Sequence, residues 1–397
     1  MQIDLLSPAS FAAGQPHDQF RWLREHDPVH WHDEPHGRGF WAVTRYEDIW
    51  SVDRDFQTYS SEPTIMIADG VGNAGMGPYK MMLMMDPPEH AGFRKLIRGE
   101  FTLPTSRLRS ERIAALAKQI VDAVAHKGEC DFVNDIAGEM PSFVIAELMG
   151  LPLDDGRELY KLTEAIHTAP EAQAPGAAAE AVGKMFAYAT QVIAEKRARP
   201  DDDLASKLLH TEMEGRRLED PEFLLFFILL VDAGGDTTRN LLAGGLLALM
   251  AEPEKLAWLT ADLDARLAAA REELLRWTSP VIYMRRTAKK DAELAGKQIK
   301  EGDKVVMYFG SANRDPGHFE KPDTLDLARQ MPEGHLAFGA GPHVCLGQHI
   351  ARIEIDAMLR EVLSRLTDFQ LAAEPEWLPS NFISGPRAMP LRFRAVA

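Results

Sequence analysis

Phe338-Gly-Ala-Gly-Pro-His-Val-Cys-Leu-Gly347 runs straight into QHIARIEIDAMLREVL (348–363), whose apolar residues recur at helical spacing. A cysteine just ahead of a helix N-terminus meets backbone N–H groups with no partner inside the helix, together with the positive end of the helix dipole. Both favour thiolate over thiol, and a thiolate is a ligand for iron. Gly339, Gly341 and Gly347 permit φ > 0 and let the backbone approach a flat ligand that side chains would hold off. Phe338 is placed to shield the sulfur. The bland reading of Cys345 is a buried structural cysteine in a glycine-rich turn. A zinc site is a poorer reading, because His343 and His349 flank the cysteine without a fourth ligand.

The rest of the chain has material for a large core. Its 397 residues exceed one average domain, yet no linker divides them, and 45% hydrophobic with 26% charged residues is an ordinary globular composition. The 44 basic and 60 acidic side chains leave a formal charge of −16, which speaks against a nucleic-acid-binding body, whose footprint is basic. Cys130 and Cys345 sit far apart in different contexts, so a reducing compartment is expected and a disulfide framework is not. The N-terminus lacks a basic segment followed by an apolar run, and the apolar stretch Phe223 to Val231 ends at Asp232, too short for a bilayer. A cytoplasmic protein without membrane contact is the expectation.

Spacing predicts helices at His17 to His26, over much of Asp86 to Gly150, at Leu153 to His167, Ala177 to Arg199, Pro221 to Met250, Glu252 to Thr260 and Ala265 to Trp277, and from near Cys345 to Leu366. Pro87 and Pro88 open one helix, and Leu103-Pro104 separates it from the next. The Ala- and Pro-rich stretch from Ala169 to Ala179 reads as a surface loop. Strand composition marks Gly39 to Arg45, Val281 to Thr287, Glu293 to Ile299, Lys304 to Tyr308 and Met389 to Ala395. The sum is a mainly α chain with a minor β portion, one domain over residues 1–397.

Three further segments carry chemistry. Glu273-Leu-Leu-Arg276 sets a carboxylate and a guanidinium at i, i+3; taken alone this is a solvated pair contributing a few tenths of a kcal/mol. Ala233-Gly-Gly-Asp-Thr-Thr238 conflicts with its own helix, since each glycine costs roughly 1 kcal/mol there. Close packing of a second helix is the structural account. The functional account is a helix that bends or opens over dioxygen, with Gly234 and Gly235 leaving room, Thr237 offering a hydrogen bond and Asp236 relaying protons. His90 and Arg94, in MDPPEHAGFR (85–94), share a helix face, as donors to a buried anion would.

These segments resemble the cytochrome P-450 family of bacterial type, the haem-thiolate monooxygenases. The cysteine loop fills every fixed position of its signature Phe-Gly-x-Gly-x-His-x-Cys-x-Gly, and the likeness reaches the C-terminal NFISGPRAMPLRF (381–393). It implies the mainly helical cytochrome P-450 fold and a haem cofactor (heme b, iron protoporphyrin IX) with Cys345 as its iron ligand. It implies that Glu273 and Arg276 fix the core beneath the haem, with Arg329 as third member and Arg314 as its competitor. Asp236 and Thr237 match the acid–alcohol pair. His90, Arg94, Arg286 and His343 match the contacts of the haem propionates, Arg286 being favoured over Arg285 by its spacing to Asp291 and Gly296.

The reaction so implied is two-electron reduction of dioxygen, with one oxygen atom inserted into an unactivated bond of an apolar molecule. Electrons would come from a separate ferredoxin or flavodoxin with its reductase. A pocket for a terpenoid, steroid or aromatic compound is expected from Ala233, Gly234, Ile282, Phe382 and Ile383. Met66, Met76, Met81, Met82, Met84 and Met85 either line that pocket or pack in the core. A haem-thiolate sensor or electron carrier would have no use for the acid–alcohol pair. A peroxide-using or carbon–carbon-coupling relative is disfavoured by the presence of both Asp236 and Thr237.

Overall fold

The computed structural model describes residues 1–70, 77–213 and 215–396. Its axis is the helix Asp220–Met250. Pro221 occupies the first turn, and the Glu222 carboxylate accepts the Glu219 N–H at 2.8 Å, so the N-terminus is well closed. The following FLLFFILLV is apolar on all sides, and that stretch is buried apart from the half-buried Leu224. Helices Glu139–Met149, Leu153–His167, Ala177–Ala198, Leu263–Thr278 and Gln348–Arg365 pack around it.

The long helix passes Gly234 and Gly235 without a break, so the expected opening is not seen. The two glycines serve different ends. A Cβ on Gly235 would stand 3.2 Å from Tyr160 Cδ2, so this glycine admits helix Leu153–His167. Gly234 meets Ile145 at an ordinary 3.7 Å and faces a cavity.

The β portion is a five-stranded sheet with Lys304–Tyr308, wholly buried, at its centre. Phe40–Val43 runs parallel to that strand and Tyr283–Ala288 antiparallel to it, with Val29–His32 and Tyr59–Ser60 at the edges. Glu293 to Ile299, expected as one strand, is the hairpin Ala292–Leu294 and Lys297–Ile299, turning at Ala295 and Gly296, both at φ > 0. A third sheet joins Glu129–Asp131, Pro390–Ala395 and Leu366–Leu371. Its first strand interrupts a stretch expected to be helical. The Asp86 to Gly150 region resolves into Glu89–Ile97, Leu103–Leu108, Ser110–Ala125 and Glu139–Met149.

Glu273 and Arg276 form no surface pair. Both side chains are fully buried, joined by two 2.7 Å hydrogen bonds from Arg276 Nε and Nη2. Arg276 Nη1 also donates to Asn313 O (2.7 Å) and Pro322 O (2.9 Å), and Glu273 accepts the Asp326 N–H at 2.7 Å. Arg329 Nε completes the cluster at 3.0 Å from Glu273. Arg314 lies 3.9 Å over the Trp277 ring instead. Among the described residues no single helix is long and apolar enough to cross a membrane.

Candidate active site at Cys345

The cysteine loop is folded by its own backbone. Cys345 N–H donates to Phe338 O at 2.8 Å, and the N–H groups of Gly347 and Gln348 bond the sulfur. Gly339 and Gly341 adopt φ of +65° and +61°. A Cβ on Gly341 would also sit 2.5 Å from Asp53 O. Gly347 corrects the expectation: at φ −79° it caps helix Gln348–Arg365 in a conformation open to any residue. Burial pushes the Cys345 thiol up, while the two N–H groups, Arg94 and Arg352 oppose it without prevailing. Desolvation thus works against the charge that the loop N–H groups favour, and a cation bound at the sulfur would favour the thiolate. Phe338 lines the same cavity, with the Arg352 guanidinium 4.6 Å from its ring.

Four basic side chains gather at another part of that cavity: His90 and Arg94 from helix Glu89–Ile97, Arg286 from strand Tyr283–Ala288, and His343 from the cysteine loop. Arg94 donates to Pro342 O (3.2 Å) and Val344 O (2.6 Å), and Arg286 Nη2 to Asp53 Oδ1 (2.6 Å). His343 Nε2 lies 3.0 Å from both Ser61 Oγ and Met85 O, and its ring centre is 4.0 Å from that of His90. Burial, then the charges of Arg94 and Arg286, push His90 down to about 4; burial and Arg286 likewise depress His343. Asp53 is the one carboxylate among the described residues lining the cavity. Two guanidinium groups against one carboxylate leave a positive surplus, which suits an anionic ligand. Arg285 faces the other way, toward Asp69 (2.6 Å), because neighbours in a strand point to opposite faces.

The opposite wall is the long helix, through Ala233, Gly234, Thr237 and Thr238. Thr237 Oγ1 donates to Ala233 O at 3.1 Å. Asp236 is buried and faces away from the cavity. Its Oδ1 accepts from Thr163 Oγ1 at 3.3 Å and lies 3.4 Å from Arg239 Nη2; its Oδ2 has no hydrogen bond and lies 3.6 Å from His167 Nε2. His167 is bonded to Asp232 at 2.7 Å. Burial opposes its charge, but Asp232 and Asp236 outweigh burial and push it up to about 9.

Sequence reasoning missed Glu354, which burial pushes up to about 7 against a hydrogen bond from Thr238. It sits one turn after Ile350 on the buried face of its helix. An acid at a core-facing position was the available signal. Asp53 was missed too.

Three expected pocket residues lie elsewhere. Val281 and Met284 line the cavity, whereas Ile282, Phe382 and Ile383 belong to the core cluster around Phe20 and Tyr308. Ile282 N–H bonds Phe382 O at 2.9 Å, which fixes that side as interior packing. Of the methionines, Met82 lines the cavity, Met84 and Met85 are buried in the core, and Met66 and Met81 pack against it. Met76 lies outside the described residues.

A buried sulfur, a surplus of arginine nearby and apolar walls between them form the donor set of a haem-thiolate protein: sulfur for iron, arginine for the propionates. The family model for Cytochrome P-450 matches residues 73–376. The steroid C26-monooxygenase of Mycolicibacterium smegmatis is 36% identical, covering 98% of this chain and 96% of that protein. The methyl-branched lipid omega-hydroxylase of Mycobacterium tuberculosis is 35% identical over 89% of this chain and 84% of its own length. The structure of Mycobacterium marinum cytochrome P-450 CYP268A2 in complex with pseudoionone superposes at TM-score 0.92, with 37% identity and 99% of each chain covered. This chain belongs to the cytochrome P-450 family, and is a haem-dependent monooxygenase acting on hydrophobic substrates.

Proposed function

We propose that the chain hydroxylates a hydrophobic small molecule of steroid, terpenoid or branched-lipid type, with electrons from a separate ferredoxin or flavodoxin and its reductase. The observation that carries this is the cavity wall: apart from the basic cluster, Asp53, Cys345 and the hydroxyls of Thr237 and Thr238 it is built from side chains such as Met82, Leu83, Ile145, Leu229, Val281 and Met284. Such a wall recognises shape and apolar area, about 25 cal/mol per Å² removed from water, and outside the basic cluster and Asp53 it holds no charged side chain among the described residues. The relatives named for steroid and branched-lipid oxidation support the same class.

When bound, the haem supplies the redox centre that activates dioxygen. Cys345 Sγ would hold its iron, and His90, Arg94, Arg286 and His343 its propionates. Thr237 Oγ1 lines the cavity and would accept a hydrogen bond there while its own proton rests on Ala233 O; proton supply from Asp236, which faces away from the cavity, would need its side chain to turn. Glu273, Arg276 and Arg329 would keep the floor of the site in place. We read the chain as one haem domain over residues 1–397; two free cysteines accord with a reducing cytoplasm.

The test is optical. Reduced protein under carbon monoxide should show the long-wavelength Soret band of a thiolate-ligated haem, and Cys345→Ala should abolish it; a histidine-type spectrum in the wild type would refute the reading. A panel of steroids, terpenoids and branched fatty acids, scored for displacement of the iron's water ligand, then narrows the substrate.

A further inference from the structure

The roles assigned above leave Asp53 without one, although it lines the same cavity as Cys345. It lies near the end of helix Tyr46–Arg54 and is buried. Its Oδ1 accepts from Arg286 Nη2 at 2.6 Å, and its Oδ2 accepts the Ala340 N–H at 2.7 Å. Both side chains are nearly inaccessible, 4% exposed for Arg286 and 3% for Asp53. Its backbone carbonyl is the atom that excludes a Cβ from Gly341, and Oδ2 stands 3.2 Å from where Gly339 would carry one. One side chain thus joins Arg286 of the basic cluster to the loop that carries the sulfur.

Burial pushes the Asp53 carboxyl up, and Arg286 with the Ala340 N–H opposes that. A neutral acceptor could take the Ala340 N–H at a smaller desolvation penalty. A carboxylate does something more: it places a negative charge against Arg286. Partly neutralised in this way, Arg286 offers less positive charge to an anionic group in the cavity, and that favours the oxidised, more positive form of a redox centre held there.

We propose that Asp53 is a positioning residue of the haem site, fixing Arg286 and the cysteine loop together and sharing the Arg286 charge with the carboxylates of the cofactor, so that the iron's potential is lowered. This rests on Arg286 as a propionate contact, the reading given above.

The experiment is a double-mutant cycle of Asp53→Asn and Arg286→Gln on the holoenzyme, read as the ferric/ferrous midpoint potential and as the rate of haem release to a scavenger protein. Asparagine keeps an acceptor for Ala340 and removes the charge. Asp53→Asn should move the potential positive and speed haem release, and its potential shift should shrink in the Arg286→Gln background, as for residues acting through one contact. A potential no different from that of Asp55→Asn, the control at the end of the same helix, would overturn the proposal; so would strict additivity. If Arg286→Gln shifts both readings and Asp53→Asn neither, only the Asp53 proposal falls. If Arg286→Gln shifts neither, the propionate reading falls and the route through it as well. Should Asp53→Asn fail to load haem, Asp53→Glu decides: recovered loading supports a need for the charge, and equal failure overturns it.

Discussion

The hydroxyl of Thr237 is held by Ala233 O one turn back, which leaves its oxygen facing the cavity with lone pairs free. Thr237→Ala should keep haem binding and substrate affinity while diverting reducing equivalents from product to hydrogen peroxide, since positioned acid–base help is commonly worth ~100-fold or more. Product and peroxide per electron pair consumed measure this, and unchanged coupling would remove Thr237 from the mechanism. The substitution should not harm the helix, alanine being the better helix former. Thr237 and Asp236 were legible in the sequence because they break a local rule, polar residues and glycines in the middle of an apolar helix. Asp53 breaks no visible rule, and Glu354 only the weak one of an acid on the apolar face of its helix. Each is an acid in an amphipathic helix and looks solvated until its neighbours are placed against it: Thr238 over Glu354, Arg286 and Ala340 over Asp53.

Two elements make testable demands. Gly341 combines φ of +61° with backbone 2.5 Å from a would-be Cβ, while Gly347 has φ of −79° and nothing within 4 Å. Gly341→Ala should therefore yield little haem-loaded protein and Gly347→Ala nearly the normal amount, with haem per folded chain as the measurement. Helix Leu153–His167 ends on His167, whose charge is held between Asp232 and Asp236. Its folded pKa, about 9, lies above its ordinary value of 6.5. The stability it contributes is present in full below about 6.5 and is lost as pH rises through 9, at up to about 1.4 kcal/mol per pH unit. Urea unfolding of wild type and His167→Gln between pH 7.5 and 10 should show a steeper loss of stability with pH in the wild type. The long helices were readable because their spacing repeats over many turns. Glu129–Asp131 was not: three residues display no alternation, and the strand exists because Pro390–Ala395 pairs with it.

Across the whole molecule, the buried cluster of Glu273, Arg276 and Arg329 ties helix Leu263–Thr278 to the segments around Asn313 and Thr324. Removing one partner leaves the other charge uncompensated at ~3–5 kcal/mol, a large share of a typical folding free energy. Glu273→Ala should therefore give little folded protein, and normal yield with full haem content would contradict the cluster's importance. Spacing alone described this pair as a solvated face; the family resemblance made it structural, and its burial depends on segments some 50 residues downstream that no local pattern announces. The strand Tyr283–Ala288 with its approach from Val281 bears on how this molecule changes over generations. Along a few residues it offers Val281 and Met284 to the cavity, Arg286 to the same cavity and Arg285 to the far face. Point replacements at 281 and 284 reshape the chamber and leave the clamp alone. Insertion or deletion of one residue between 284 and 286 would place Met284 and Arg286 on opposite faces, so that the wall residue and the arginine paired with Asp53 could no longer both meet the cavity. Diversification of substrate range here is confined to replacement, with length held fixed.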